Sequence, residues 1–485
     1  MNYFQEDHQN RLPTVRLHKA VLRDFKSVRY GKIEMDCSKH FIPYGTTSDM
    51  LGIYGQNGSG KTAFIEALAI LKALLSGDRV SFLYADCIAT GADHAELEFT
   101  FDLQYPTEPV TIRKVVYSFC LAVRDITGSG TAEHDMTAAL DGLFSQQITR
   151  RRVRVYNEVI RVGGMVSGES LKLTTVLDTG TDKAAFGPRS KQKLFYPVCQ
   201  ENDVRLLVNR QLADERSMSF IFMDETLQLF GKTEQRSAFH EILLELNYFG
   251  RYFLAVVDTK SMAAIRSNII LPLFTLRTRE TMMINTVGMN IVSEQMLEAM
   301  HKVITPISKV LPHFVPGMTI ALEELGPAML DDGRQGKSVE LVVCRGDRKL
   351  PIRCESDGVR KIISVMSLII DAYNSRSTTI AIDELDAGIF EYLLGELLDV
   401  FRKFGQGQLI FTSHNLRPLE VMDRRFIRFT TTNPDNRYIL LKSSGEYGNL
   451  RNQYFREILF NEQGEELYNK TMQYKIVTAM GKADN

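Results

Sequence analysis

At 485 residues, with 44% hydrophobic and 24% charged side chains, the chain has the composition of a folded globular protein of about three domains, which excludes a disordered tail, a collagenous rod or an extended coiled coil. Lys and Arg number 58 against 59 Asp and Glu, a net charge of -1, so a wholesale polybasic nucleic-acid coat is excluded although a local basic patch is not. No apolar run approaches the ~18 residues of a membrane span, the first residues lack the basic-then-apolar order of a signal peptide, and the 6 cysteines form no CxxC pair; a cytoplasmic protein with reduced thiols and no membrane contact is expected.

Strands are predicted over Leu17–Phe25, Lys32–Met35 and Leu51–Tyr54. The last runs into a glycine-rich turn and then an apolar helix over Thr62–Leu75, with Phe64, Ile65, Leu68, Ile70 and Leu71 at helical spacing. Glu96–Leu103 alternates charged and apolar residues, as a strand with one wet face does. Val110–Val123, Arg152–Val162 and Leu171–Leu177 predict an antiparallel β region. Between about 200 and 310 the pattern turns helical, most clearly over Glu234–Phe249 and Ser293–Val310, and Pro306, Pro312 and Pro316 punctuate its end. Strands return at Thr319–Glu324 and Val339–Arg345, and from Gly358 to Arg428 helix and strand alternate, as in a parallel sheet with crossover helices. The expected organisation is an α/β head with a mixed sheet, made of an N-terminal lobe (1–110) and a C-terminal lobe (319–445). A β-rich insertion (111–200) and a helical insertion (201–318) separate them, and a tail (446–485) follows.

The strongest motif is Gly55-Gln56-Asn57-Gly58-Ser59-Gly60-Lys61-Thr62, which fits GxxxxGK[ST] in full between a strand and a helix. Glycines let successive N–H groups turn inward around a phosphate, and the helix N-terminus adds partial positive charge. Lys61 then reaches the β and γ oxygens, and the Thr62 hydroxyl ligates Mg2+. A second element is the apolar run Thr378–Ile382 ending in Asp383-Glu384, at the sheet edge where α/β proteins place ligands. Asp383 is a candidate for the Mg2+ shell and Glu384 for polarising an attacking water. Taken alone, such a pair is a helix N-cap with an acid in the first turn; beside a phosphate loop the chemical reading prevails. His414 follows another short apolar strand, Gln408–Thr412, and falls at the same edge, within reach of a γ-phosphate. Ser356 and Gly358 open an apolar helix whose N-terminus is a second phosphate-binding end, one that can face a nucleotide held by a neighbouring molecule. Phe220–Glu225 imitates an Asp-Glu strand end, but its continuation reads as an amphipathic helix.

Taken in order, the phosphate loop, the Ser-x-Gly helix, Asp-Glu and Ser-His resemble the ATP-binding-cassette (ABC-type) P-loop ATPases, and among them the RecF, SMC and OLD branch. Leu22-Arg23-Asp24-Phe25-Lys26-Ser27 is similar to the run that opens that branch. The resemblance covers roughly residues 15–105 and 340–445. It implies an ABC-type ATPase head that binds ATP with Mg2+ and hydrolyses it. Gly55, Asn57, Gly58, Ser59, Gly60, Lys61 and Thr62 would hold the phosphates, Thr62 and Asp383 the metal. Glu384 would be the catalytic base and His414 the switch histidine, and Lys61 would also serve catalysis. Ser356 and Gly358 would touch ATP held by the opposite subunit in a head-to-head sandwich dimer, with Asp386 in the loop that crosses the dimer. The signature departs from the glycine-paired form, and Leu385–Phe390 stands where many OLD-like heads carry a His-Pro pair. Gln104, Gln146 and Gln147 compete for the place of the Q-loop glutamine.

The stretch after His414 is too short for a Toprim nuclease domain, and SMC-length coiled coils are absent from the pattern. The chain therefore resembles the stand-alone ATPase subunits of bacterial antiphage systems of the PARIS and Septu types. That likeness implies a homo-oligomer whose ATP state gates a separate nuclease or toxin effector in response to a phage trigger. The alternative is a RecF-like DNA-binding ATPase, for which Arg150, Arg151, Arg152 and Arg154 form the one concentrated basic run.

Overall fold

The computed structural model describes residues 13–35, 49–105, 111–125, 151–166, 169–180, 184–195, 204–231, 238–259, 269–276, 282–442, 449–469 and 472–482. Gln146, Gln147 and Arg150 lie outside them.

β1 (Thr14–Phe25) and β2 (Val28–Glu34) form a hairpin. β3 (Asp49–Tyr54) leaves for a second sheet and is followed by α1 (Lys61–Ser76). β4 (Ala95–Tyr105), β5 (Thr111–Asp125), β6 (Arg151–Val166) and β7 (Glu169–Asp178) return to the first sheet, which runs β2–β1–β4–β5–β6–β7 and is antiparallel throughout. The antiparallel region expected after residue 110 is thus present, continuous with the strands of the N-terminal lobe. Its inner face carries Leu97, Phe99, Phe101, Tyr117 and Phe119, all fully buried, beneath α1.

Helices α2 (Arg189–Phe195), α3 (Val204–Arg216), α4 (Asp224–Phe230) and α5 (Ala238–Tyr252) come next. As expected, Phe220–Glu225 leads into a helix, α4, which starts at Asp224 and buries Thr226, Leu227, Leu229 and Phe230. The chain then departs from the helical reading with β8 (Leu254–Val257), β9 (Ile270–Leu273), β10 (Met282–Asn285) and β11 (Asn290–Val292). These runs have three or four residues, too short for periodicity to separate strand from helix. α6 (Glu294–Phe314) also corrects an expectation, because Pro306 and Pro312 lie inside it rather than ending it. The lost backbone hydrogen bonds are offset by a continuous buried stripe of Leu297, Met300, Val303, Ile304, Ile307 and Leu311.

β12 (Met318–Met329), β13 (Gln335–Arg345) and β14 (Arg348–Pro351) build a small antiparallel sheet with β11. Then come α7 (Asp357–Asn374), β15 (Thr379–Ile382), α8 (Glu391–Phe404), β16 (Gln408–Thr412), β17 (Ile427–Thr430), β18 (Tyr438–Ile439), α9 (Leu450–Phe460) and α10 (Gln473–Lys482). The second sheet has the order β18–β17–β3–β16–β15–β8; its five strands from β17 to β8 are parallel and β18 turns back at the edge. Side chains alternate across it: Leu51 and Ile53 of β3 enter the core shared with α1 and the first sheet, while Met50 and Tyr54 enter the core formed with α6, α7 and α8. This is an α/β architecture with a mixed sheet and an antiparallel β subdomain.

A buried glutamine locks the two sheets in register. Gln408 Oε1 accepts from the Leu17 N–H at 2.9 Å and from the Thr379 hydroxyl at 2.7 Å, and its Nε2 donates to the Leu17 carbonyl at 3.0 Å. Arg16 and Asp49 pair alongside at 3.2 Å.

Candidate nucleotide site

Strand direction creates the site. β3, β15 and β16 are parallel neighbours or next neighbours, so their C-terminal ends lie along one edge and present residues 55–60, 383–386 and 412–415 together. In the first loop Gly55, Gly58 and Gly60 all have positive φ (152°, 77° and 95°), and a Cβ on Gly55 would overlap the Thr430 hydroxyl. Gly60 caps α1 without any side-chain hydrogen bond, so no side chain competes for the first N–H groups of that helix. Ser59 is buried, its hydroxyl 2.6 Å from the Gln56 carbonyl and 2.5 Å from Thr430 Oγ1. The Tyr438 hydroxyl donates to the Gly60 carbonyl at 2.7 Å, so β17 and β18 brace the loop from behind. Asn57 and Gly58 are exposed at its tip, and Thr62 is half-buried in the first helical turn.

Lys61 folds back over this loop and donates to the carbonyls of Gly55 at 2.8 Å and Gln56 at 3.0 Å. Burial depresses its pKa, and the nearby carboxylates of Asp383, Glu384 and Asp386 work against that depression. The structure therefore gathers Lys61 and the three acids that sequence alone had placed over 300 positions away into one electrostatic site.

Asp383 is 1% exposed, and two threonines orient its carboxylate. Thr412 donates to Oδ1 and Thr259 to Oδ2, each at 2.5 Å. The Thr412 hydroxyl also accepts the Glu384 N–H at 2.7 Å, so one side chain sets both acids. Glu384 has a left-handed backbone, φ 46°, and its carbonyl accepts from the Lys361 ammonium on α7. Asp386 Oδ2 accepts the N–H groups of His414 at 3.1 Å and Asn415 at 2.9 Å, which ties the loop after β15 to the loop after β16. The His414 side chain is exposed at that edge. Ser356 caps α7, its hydroxyl accepting the Val359 N–H at 3.4 Å, and is itself exposed, whereas Gly358 is packed against the Gly388 backbone.

The residues fit the groups they were expected to hold. Glycines that exclude Cβ atoms, uncapped helix N–H groups and a lysine suit a polyphosphate. A threonine hydroxyl and a carboxylate are hard oxygen donors suited to Mg2+, which takes one or two protein ligands and fills its octahedron with phosphate and water. Among the described residues no cluster of three His, Cys, Asp or Glu side chains forms a metal site of its own.

Thr259, Thr412, Thr430, Tyr438 and Lys361 escaped the sequence reading. Thr412 had a weak signal, a hydroxyl at the end of an apolar strand. The others come from elements whose neighbours are set only by sheet order. The described members of the basic run have contacts within the molecule: Arg151 pairs with Asp86 at 3.1 Å, Arg154 with Asp214 at 2.7 Å, and Arg152 donates to the Glu215 carbonyl at 3.1 Å. Of the Q-loop candidates only Gln104 is described; it lies on β4 opposite Thr14, in the first sheet.

No known protein-family model matches the chain, and no curated protein matches it in sequence. Among solved structures it is similar to the SMC head bound to the C-winged helix domain of ScpA, at 14% identity and a TM-score of 0.39, covering 88% of this chain and 98% of that one. It is also similar to the SMC head domain from Thermotoga maritima, at 14% identity and a TM-score of 0.35, covering 88% and 100%. A third is the recombination mediator protein RecF with ATP, at 12% identity and a TM-score of 0.32, covering 83% and 93%.

Proposed function

We propose that the chain is an ABC-type ATPase: it binds ATP with Mg2+ between the 55–62 loop and Asp383, and hydrolyses it with Glu384 as general base. One observation carries this reading, the convergence of Lys61, Asp383, Glu384 and Asp386 beside a glycine cradle at the C-terminal edge of a parallel sheet. Lys61 would leave its loop carbonyls for the β and γ oxygens of the substrate. Asp383, pre-oriented by Thr259 and Thr412, would hold Mg2+ with Thr62, and that ion supplies charge neutralisation on the phosphates. Glu384 lies one residue beyond the metal-side acid, only half-buried, and would take a proton from the attacking water. His414, exposed at the same edge, would contact the γ-phosphate.

The exposed Ser356 at the N-terminus of α7 supports a site completed in trans, in which Ser356 and Gly358 of one copy cover the nucleotide of the other. In this reading the ATP-held pair is the working state. Formation and release of that pair would control a separate nuclease or toxin effector in antiphage defence, with a phage component as trigger. Glu384→Gln should bind ATP and stay paired: light scattering should give twice the mass with ATP that it gives without. An unchanged mass would defeat the gating scheme. The RecF-like alternative keeps the same ATP chemistry; DNA contact through Arg151, Arg152 and Arg154 would have to exchange their present bonds to Asp86, the Glu215 carbonyl and Asp214 for phosphates.

A further inference from the structure

We propose that Lys361 is the positioning residue for Glu384, and that through it the helix beginning at Ser356 governs the carboxylate of its own chain. The proposal rests on the reading of Glu384 as the base. Glu384 is one of the few non-glycine residues with positive φ among those described, a conformation unfavourable for an L-residue that persists only when its surroundings impose it. Its backbone is held at both ends: Thr412 accepts its N–H, while its carbonyl accepts from the Ala387 N–H at 2.9 Å within the turn and from the Lys361 ammonium. With both ends of the residue held, the direction in which its side chain leaves the sheet edge is set.

Lys361 is 6% exposed and is followed on α7 by the buried Ile362, Ile363, Ser364, Val365 and Met366, with the buried Arg360 before it. Burying an ammonium costs desolvation, and the bond to the Glu384 carbonyl helps to offset that cost. One turn earlier the backbones of α7 and the acidic loop touch. A Cβ on Gly358 would stand 1.8 Å from the Gly388 carbonyl oxygen, and one on Gly388 would stand 2.7 Å from the Gly358 Cα. The first two turns of α7 and the loop from Asp383 to Ile389 therefore form one mechanical piece. A displacement of the Ser356 end, as on meeting another molecule, is passed through Gly358–Gly388 and Lys361 to Glu384.

Steady-state ATP hydrolysis and equilibrium ATP binding of the full chain test this, using wild type, Lys361→Met, Lys361→Gln and Glu384→Gln with and without Lys361→Met. Lys361→Met is expected to lower kcat about 100-fold, the usual consequence of misplacing a reacting group by an ångström. Its Kd for ATP should stay within about twofold, and it should add nothing in the Glu384→Gln background. Lys361→Gln, which keeps a donor, should fall between and carries the test if the methionine variant does not fold. Near-wild-type kcat, a Kd weakened in step with kcat, or an equal further loss on top of Glu384→Gln would each overturn the proposal. Failure of the wild type to turn over ATP at all would instead sink the ATPase reading, and this one with it.

Discussion

Thr412 concentrates the logic of the site in one hydroxyl. Its hydroxyl donates to Asp383 and accepts the Glu384 N–H, so the proposed metal-side acid and the proposed base are set by the same oxygen. Asp383 is almost wholly buried, and a buried carboxylate that loses a donor pays for its desolvation. Thr412→Val keeps the shape but removes both bonds. Urea unfolding should show a loss of about 2 kcal/mol, with most of it recovered in Thr412→Ser. At this scale the glycine cradle, Lys61 and the Asp383-Glu384 pair were all legible, because each motif is contiguous and its neighbours in sequence are its neighbours in space. Lys361 was not legible: on a helix with a hydrophobic stripe it reads as a charged residue facing water, and only the packing of α7 against the acidic loop turns it inward.

Helix α5 is tied to the first sheet by a polar joint rather than by packing alone. The Tyr105 hydroxyl donates to Glu245 at 2.6 Å and lies within reach of Arg113, whose guanidinium stacks over the Tyr105 ring. Burial pushes the Glu245 carboxyl from 4.5 to about 7, against the pull of Tyr105 and Arg113. The folded chain then holds this proton more tightly than the unfolded chain. Stability from this group is fully present below about pH 4.5 and is lost as pH rises through 7. Glu245→Gln should remove that slope, so between pH 5 and 8 the difference in unfolding free energy between wild type and variant should change by roughly 1–3 kcal/mol. Strands β4, β5 and β6 were legible because each is long and alternates or is β-branched. β8 was not, since four apolar residues carry no period, yet it is the strand that brings Thr259 to Asp383.

For the whole molecule, α1 is the keystone. It lies between the two sheets, and Phe64, Ile65, Leu68, Leu71, Leu74 and Leu75 bury themselves on both. Whatever the 55–60 loop at its N-terminus feels is therefore felt by the core that joins the two sheets. Arg151, Arg152 and Arg154 of β6 face outward, with Arg151 and Arg154 beside Asp86 and Asp214 and Arg152 on the Glu215 carbonyl, so much of their hydrogen-bonding capacity is engaged within the molecule. Substituting Arg152 and Arg154 together by alanine should leave any low-salt DNA mobility shift unchanged; loss of a shift in that variant would restore the basic strand as an interface. Among the described residues no helix is long and apolar enough to cross a membrane. By itself the chain's order of residues determined the local chemistry, because a phosphate loop or a strand-end carboxylate pair is built within eight consecutive positions by backbone geometry alone. Only the tertiary structure decided which distant side chains orient those groups, because Thr259, Thr412, Thr430 and Lys361 reach the site through strand order and helix packing, and such non-local pairing leaves no mark on periodicity or spacing.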